Sequence, residues 1–341
     1  MNGSDIWGPG ISMDILKVRA LLLSAIREFF RQKGVMEVVV PTLGASTTTD
    51  LHINSFSLDS DREVGKRSYL QTSPEFFMKR LLASGSGPVF YLGSAFRAAE
   101  SGLMHNPEFT LLEWYQPGYT LSRLMKEVKQ LVHELIRVNG KHMDALFTDR
   151  KGIDYTAFQT ISYRKLFEDT LGFNPHVISS EELLAFFAQR HSENLSHITT
   201  PIERRTRENC LDYLFSTSIQ PELIRPVFVT GFPASQAALS KKGNVDGDEV
   251  ALRFELYWNG IELANGYDEL DDADELEARM ATDNQDRMNL HLPLIEPDQN
   301  LLAAMRAGLP ECSGVALGFD RLVALLTGEH NLSKVMAFRL L

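Results

Sequence analysis

The dipeptide Asn259-Gly260 constrains this chain more than any other feature. It separates the runs Ala251 to Trp258 and Ile261 to Leu263, and Asn-Gly is the pair that best accepts the two positive-φ positions of a two-residue hairpin turn. A hairpin there commits the fold to antiparallel pairing. Further strand candidates are Val89 to Leu92, Phe109 to Tyr115 and Val227 to Thr230. Helical spacing points to helices over Leu121 to Val138, Ser180 to His191, Arg204 to Ser216, Ala273 to Leu290, Gln299 to Ala307 and Asp320 to Leu326. Strands joined by hairpins with helices around them read as an α+β fold, an antiparallel β-sheet flanked by helices.

The opening is a helix, a glycine, a strand and a proline. Ile15, Val18, Leu22, Ile26 and Phe29 recur at helical spacing with Arg19, Arg27 and Glu28 between them. Gly34 stops that helix, and Val35 to Val40 reads as a short β-branched strand ended by Pro41, which cannot continue a central ladder. The stretch around 163–220 is mainly helical, separates two strand-rich parts and reads as an insertion in one domain covering 1–341. There are no repeats and no low-complexity linker.

Composition narrows the function classes. The 341 residues are 44% hydrophobic and 23% charged, enough for a large core. Thirty-four basic against 45 acidic residues give a net charge of -11, which disfavours a general nucleic-acid binder. The densest basic stretch, Ile202 to Arg207, also carries Glu203 and reads as a solvated helix face. No apolar run spans a bilayer and no leader pattern opens the chain. The expectation is a cytoplasmic protein without membrane contact. Cys210 and Cys312 have neither metal-ligand nor disulfide spacing.

Three segments carry chemistry. Phe96-Arg97-Ala98-Ala99-Glu100 followed by His105 to Tyr115 offers an arginine for phosphate and an aromatic for a base, although alone it suits a plain hairpin with a salt-bridged arginine better. Glu255 and Glu262 lie on opposite arms of the Asn-Gly hairpin, where cross-strand neighbours are roughly 5 Å apart. They either share a hard cation or face solvent on an edge, and spacing does not separate the two. Ser313 to Leu322 is a small-residue strand entering a helix, where Asp320 can cap and Arg321 in the first turn wants an anionic partner.

Those segments, in that order, resemble the three signature motifs of class II aminoacyl-tRNA synthetases of the lysyl type. The opening helix with Gly34, Glu37 and Pro41 resembles motif 1, Phe96 to Tyr115 motif 2, and Gly314 to Leu322 motif 3. Thr72-Ser73-Pro74-Glu75 and Glu262 to Leu270 resemble the lysine-pocket segments, and only 163–220 is left unanchored. Motif 1 begins almost at the start, so no N-terminal anticodon-binding domain is expected. The resemblance is therefore nearest to the truncated paralogues that attach β-lysine to a lysine of elongation factor P. Phe232-Pro233-Ala234-Ser235-Gln236-Ala237 and Cys312 to Gly318 resemble that subgroup in particular.

The resemblance implies a class II synthetase catalytic core that consumes ATP with Mg²⁺ and works as a homodimer on elongation factor P, not tRNA. It implies Arg97 and Arg321 as catalytic, with Arg97 bridging the substrate carboxylate and the α-phosphate and Arg321 holding the far phosphates. Asn106, Phe109, Glu262, Leu263 and Gly318 would complete the ATP site, with Phe109 stacking on adenine. Glu255 and Glu262 would hold the metal. Ser73, Pro74, Glu75, Tyr115, Asn265, Glu269 and Ala316 would form the pocket for (R)-β-lysine or lysine. Ala316 stands where lysyl-tRNA synthetases usually have glycine. Motif 2 departs from the family's Phe-Arg-Asn-Glu at Ala98-Ala99, and Glu100, one residue on, would point to the other face of an extended segment. Two other readings stand beside the ligase: a tRNA-charging or free amino-acid ligase, and a degenerate paralogue that binds amino acid or nucleotide without chemistry.

Overall fold

The computed structural model describes residues 7–59, 67–140, 156–190 and 207–338. They fall into two compact units, Met1–Ile153 with Glu269–Leu341, and Asp154–Asp268.

The first unit opens with α1 (Met13–Gln32), whose start is capped by the Ser12 hydroxyl accepting from the Ile15 N–H at 3.3 Å. Its buried residues Val18, Leu22, Ile26 and Phe30 recur every fourth position, and Gly34 leaves it at φ +69°. The expected strand after it is much shorter than Val35 to Val40. Only β1 (Met36–Glu37) pairs, because after Val38 gives its N–H to the Phe90 carbonyl the chain turns out, leaving Val39 94% exposed. β2 (Leu43–Gly44), β3 (Ser57–Asp59) and β4 (Arg67–Leu70) form a small antiparallel sheet in the order β2-β4-β3. α2 (Glu75–Ala83) follows, then β5 (Val89–Phe96), β6 (Glu108–Pro117) and α3 (Leu121–Asn139).

The second unit runs from β7 (Gln159–Ser162) through α4 (Tyr163–Leu171), α5 (Ser180–Arg190) and α6 (Arg207–Leu214), which continues as a π-helical turn over Phe215–Ile219. The expected helix from Arg204 and the basic stretch Ile202 to Arg207 lie partly outside the described residues, which resume at Arg207. β8 (Val227–Pro233), β9 (Lys242–Val245), β10 (Asp248–Trp258) and β11 (Ile261–Asp268) complete it. β10 is antiparallel to β8, β9 and β11, and β7 lies parallel to β8. Both hairpins turn on positive-φ pairs, Asp246 (+53°) with Gly247 (+89°) and Asn259 (+54°) with Gly260 (+72°). Tyr163, Phe167, Phe215, Phe232 and Tyr257 pack one buried cluster under this sheet.

The chain then returns to the first unit with α7 (Ala273–Asn289), α8 (Gln299–Gly308), β12 (Cys312–Gly318) and α9 (Phe319–Thr327). There β6 pairs antiparallel with β5 and β12, while β1 runs parallel to β5, so these four strands are antiparallel except at the β1 edge. Alternation along β5 and β6 assigns its faces. On one face Phe30 stacks on Phe90 (centroids 4.5 Å apart) and meets Trp114 (5.3 Å), whose indole N–H donates to Glu127 of α3 at 3.1 Å. Tyr91, Glu113 and Tyr115 take the opposite face.

Asp320 does not cap α9. Gly318 is the N-cap and offers no side chain, so Asp320 sits inside the first turn. Its carboxylate accepts the Thr110 N–H at 2.6 Å and pairs with Arg19 of α1 at 2.6 Å, tying the start of α9 to β6 and α1.

Candidate active site

The face of the first unit's sheet that carries Glu113 and Tyr115 holds an unusual density of buried charge. Ser73 accepts the Glu75 N–H at 3.1 Å and donates to Glu113 at 2.8 Å, so the start of α2 is fastened to β6. Glu75 begins α2, and one turn later Lys79, 1% exposed, reaches back with its Nζ 2.7 Å from Glu75 Oε1 and 2.7 Å from Glu269 Oε2. Glu269 is held from behind, its N–H donating to the Cys312 carbonyl of β12 at 3.0 Å. The Tyr115 hydroxyl donates to Glu113 at 2.7 Å.

Burial, then repulsion by Glu75, pushes the Glu113 carboxyl up to about 8, against the hydrogen bonds from Tyr115 and Ser73. Burial also pushes Glu269 up to about 8, against the pull of the Lys79 ammonium. For Lys79 burial works downward, but Glu269 and Glu75 outweigh it and hold the ammonium charged. A buried lysine must be paired to stay so, and this one is paired twice.

The floor of this group is β12. Gly314 lies opposite Tyr115 and Ala316 opposite Glu113, so both small residues face the carboxylates. A Cβ on Gly314 would stand 2.4 Å from the Tyr115 ring and 2.5 Å from Glu269 Oε1, so only glycine fits. A Cβ on Gly318 would meet nothing closer than the Arg321 side chain at 3.5 Å, so the protein's own packing does not require glycine there.

Around the loop between β5 and β6, the Arg97 guanidinium lies over the Phe109 ring at 5.1 Å and donates to Glu100 at 3.3 Å. Glu100 thus does not turn away from Arg97, because Ala99 takes the left-handed conformation (φ +63°) and folds the chain back. Arg321 donates to the Met104 carbonyl at 3.2 Å and meets the His105 ring nitrogen at 2.8 Å. Asn106 is buried, its amide donating to the Glu108 carbonyl at 2.6 Å.

In the second unit a β-bulge decides which side chains share a face. Tyr257 pairs with Glu262 but Leu256 with Ala264, so Leu263 is the extra residue. Glu262 and Asn265 are three apart and would lie on opposite faces of a regular strand; the bulge brings both to the face of Glu255 and Tyr257. Glu255 and Glu262 are therefore diagonal neighbours, not directly opposed, since Glu255 faces Asn265. Leu263 is buried, which leaves only its backbone for a ligand.

Glu255 is bonded by Arg253 and by the Tyr257 hydroxyl. Burial pushes its carboxyl up to about 7, with Arg253 pulling it down and Glu262 raising it again. Arg253 itself is packed on Phe232 and donates to the Gln236 carbonyl at 2.9 Å. Asn265 donates to the Tyr267 hydroxyl at 3.1 Å, and its buried Oδ1 accepts from no described residue. No group of three metal-ligating side chains occurs among the described residues. Two diagonal carboxylates on one sheet face fit a Mg²⁺ ion that takes its other ligands from phosphate and water, which is how that ion is usually held.

A family model for class II tRNA synthetases (D, K and N) matches residues 11–340. The chain belongs to that family. Among its relatives are proteins named elongation factor P--(R)-beta-lysine ligase: one from Vibrio cholerae, 43% identical over 99% of this chain and 98% of its own. Those of Photorhabdus laumondii and Pasteurella multocida are 40% and 39% identical, each over 97% of both chains.

Of the residues the sequence suggests for the amino-acid pocket, the fold gathers Ser73, Glu75, Tyr115, Glu269 and Ala316 in the first unit. Lys79 and Glu113 join that group and Arg253 the Glu255 group, and the sequence reading named none of the three. Two of these left a trace: Lys79 follows Glu75 at the i,i+4 spacing of a helical pair, and Glu113 interrupts an apolar strand.

Proposed function

We propose that this chain activates (R)-β-lysine with ATP as an aminoacyl-adenylate and transfers it to a lysine side chain of elongation factor P. The observation that carries the reading is the charge of the pocket: Glu75 and Glu269 pair with the ammonium of Lys79, and the buried Glu113 lies within its field. Such a pocket calls for two further positive charges, and β-lysine has two ammonium groups. A carboxylate left buried without its ammonium is costly, so the pocket rejects isosteres that lack one.

In the first step the substrate carboxylate attacks the α-phosphorus and the bond to the β-phosphate oxygen breaks, releasing pyrophosphate. In the second the target amine attacks the carbonyl carbon, AMP departs and the new amide nitrogen loses a proton. Neither step needs an enzyme nucleophile. Arg97 would orient the carboxylate and the α-phosphate, and Arg321 the outer phosphates, so catalysis is positioning and charge neutralisation. Glu255 and Glu262 would hold Mg²⁺, which when bound offsets phosphate charge. In the first unit Asn106, Phe109 and Gly318 would line the nucleotide.

Glu262→Gln is expected to raise the Mg²⁺ concentration for half-maximal pyrophosphate exchange about tenfold, the effect of one lost charge-assisted contact, while the amino-acid KM moves far less. An unchanged Mg²⁺ dependence removes Glu262 from the metal site.

We further infer a homodimer in the cytosol. No helix among the described residues is long and apolar enough to cross a membrane. Met36, Val39 and Leu43 present apolar side chains 49%, 94% and 50% exposed on the segment after α1, which suits a covered face. Light scattering should return twice the 38.4 kDa chain mass, and Val39→Glu should shift it toward the monomer. A monomeric wild type contradicts this.

The reading is tested by incubating the protein with ATP, Mg²⁺ and (R)-β-lysine together with elongation factor P, and in parallel with tRNA. A β-lysyl adduct on the protein acceptor alone is expected by intact mass. Charging of tRNA instead would favour the tRNA-charging reading, and neither product the degenerate one.

A further inference from the structure

Lys79 has no place among the substrate-contacting residues above, yet its side chain is as enclosed as that of Glu269, each 1% exposed. Its ammonium takes Oε1 of Glu75 and Oε2 of Glu269. The second oxygen of Glu269 is thereby turned toward β12, where a Cβ on Gly314 would come within 2.5 Å of it. Glu113 stands nearby, bonded by Tyr115 and Ser73 and reached by the field of Lys79. Among the described residues this cluster therefore comprises three carboxyl groups and one ammonium, and the three count as carboxylates once arriving ammonium groups displace the protons that burial keeps on Glu113 and Glu269.

We propose that Lys79 is a specificity-determining positioning residue, whose buried ammonium holds one oxygen each of Glu75 and Glu269 and sets the pocket's charge shortfall at two, so that it selects amino acids with two ammonium groups. Had this position been uncharged, the shortfall would be three. A carboxylate fewer would make it one, and a substrate with one ammonium would satisfy it. The identity of the internal cation therefore acts as a charge counter, and selectivity follows the count, not the fit of any one contact. The inference rests on the amino-acid-binding reading above and deepens it.

The test is a pair of substitutions whose effects cancel. Binding is read by calorimetry without ATP, comparing (R)-β-lysine with 3-aminohexanoic acid, which lacks the distal amine. Glu75→Gln lowers the shortfall to one and is expected to narrow the preference for the diamino acid at least about tenfold. Adding Lys79→Met restores the shortfall to two and should bring the preference back to within about threefold of wild type, a coupling of the kind such cycles measure. Lys79→Arg alone should keep the preference. If Lys79 merely filled space, the double variant would be worse than Glu75→Gln, and that result overturns the proposal.

Melting temperatures read the same count where a variant binds nothing. At pH 9, above the value of about 8 to which Glu113 and Glu269 are raised, Lys79→Met alone leaves three buried carboxylates without a cation and should melt well below the double variant, which has one fewer. Equal melting of the two overturns the proposal as well. A wild type that binds no diamino acid would overturn the functional reading, whereas a selective wild type with indifferent variants overturns only the role of Lys79.

Discussion

Gly314→Ala is expected to raise the KM for the amino acid by about a hundredfold or more, the loss of one to two charge-assisted hydrogen bonds. The added methyl cannot be absorbed: it would lie 2.4 Å from the buried Tyr115 ring and 2.5 Å from Glu269. Tyr115 must then swing and release its 2.7 Å bond to Glu113, or Glu269 must leave Lys79. Either movement spoils the carboxylate arrangement while leaving Arg97 of the β5–β6 loop and Arg321 of α9 untouched, so the KM for ATP should change little. Steady-state kinetics against each substrate separates the two. An unaltered amino-acid KM would mean that the ligand does not use this corner.

A second large effect is a proton linkage. Affinity for (R)-β-lysine is expected to rise between pH 6 and 8, by up to about tenfold per unit for each proton displaced. The sign follows from Glu113 and Glu269. Burial, aided by Glu75, lifts Glu113 to about 8, and burial lifts Glu269 to about 8 despite Lys79, so both are largely protonated at pH 7 in the free protein. Arriving ammonium groups favour the ionised carboxylates and expel those protons. Binding therefore strengthens with pH until the free protein has ionised on its own. The free protein's stability runs the other way: its folded state holds protons that the unfolded chain loses near 4.5, so it declines as pH climbs from there to about 8 and then levels. Calorimetry in buffers of different ionisation enthalpy counts the released protons. Affinity falling over this range would contradict the assignment of these carboxylates.

The sequence carried much of the fold because local chemistry was unambiguous at particular residues. Asn259-Gly260 fixed a hairpin, and the spacing from Ile15 to Phe29 fixed α1. Two elements had signals that went unused: Asp246-Gly247 marks a second hairpin, and Ser73-Pro74-Glu75 is a helix start with an acid in its first turn. The bulge at Leu263 had no local signal. It arises from the pairing of β10 with β11, and it alone lets Glu262 and Asn265 face the same way. Asp320 was legible as a cap and became a tertiary acceptor, because Thr110 and Arg19 are brought to it from more than two hundred residues away. Lys79 was only half legible for a related reason: its spacing from Glu75 shows in the sequence, but its second carboxylate, Glu269, is distant there, and only the assembled fold makes them partners.

The central claim is that the pocket admits (R)-β-lysine for activation. ATP–pyrophosphate exchange with purified protein and Mg²⁺, comparing (R)-β-lysine, L-lysine and no amino acid, tests it most directly. Exchange dependent on amino acid and strongest with (R)-β-lysine is the result this account requires. A folded protein that exchanges with neither amino acid would contradict it.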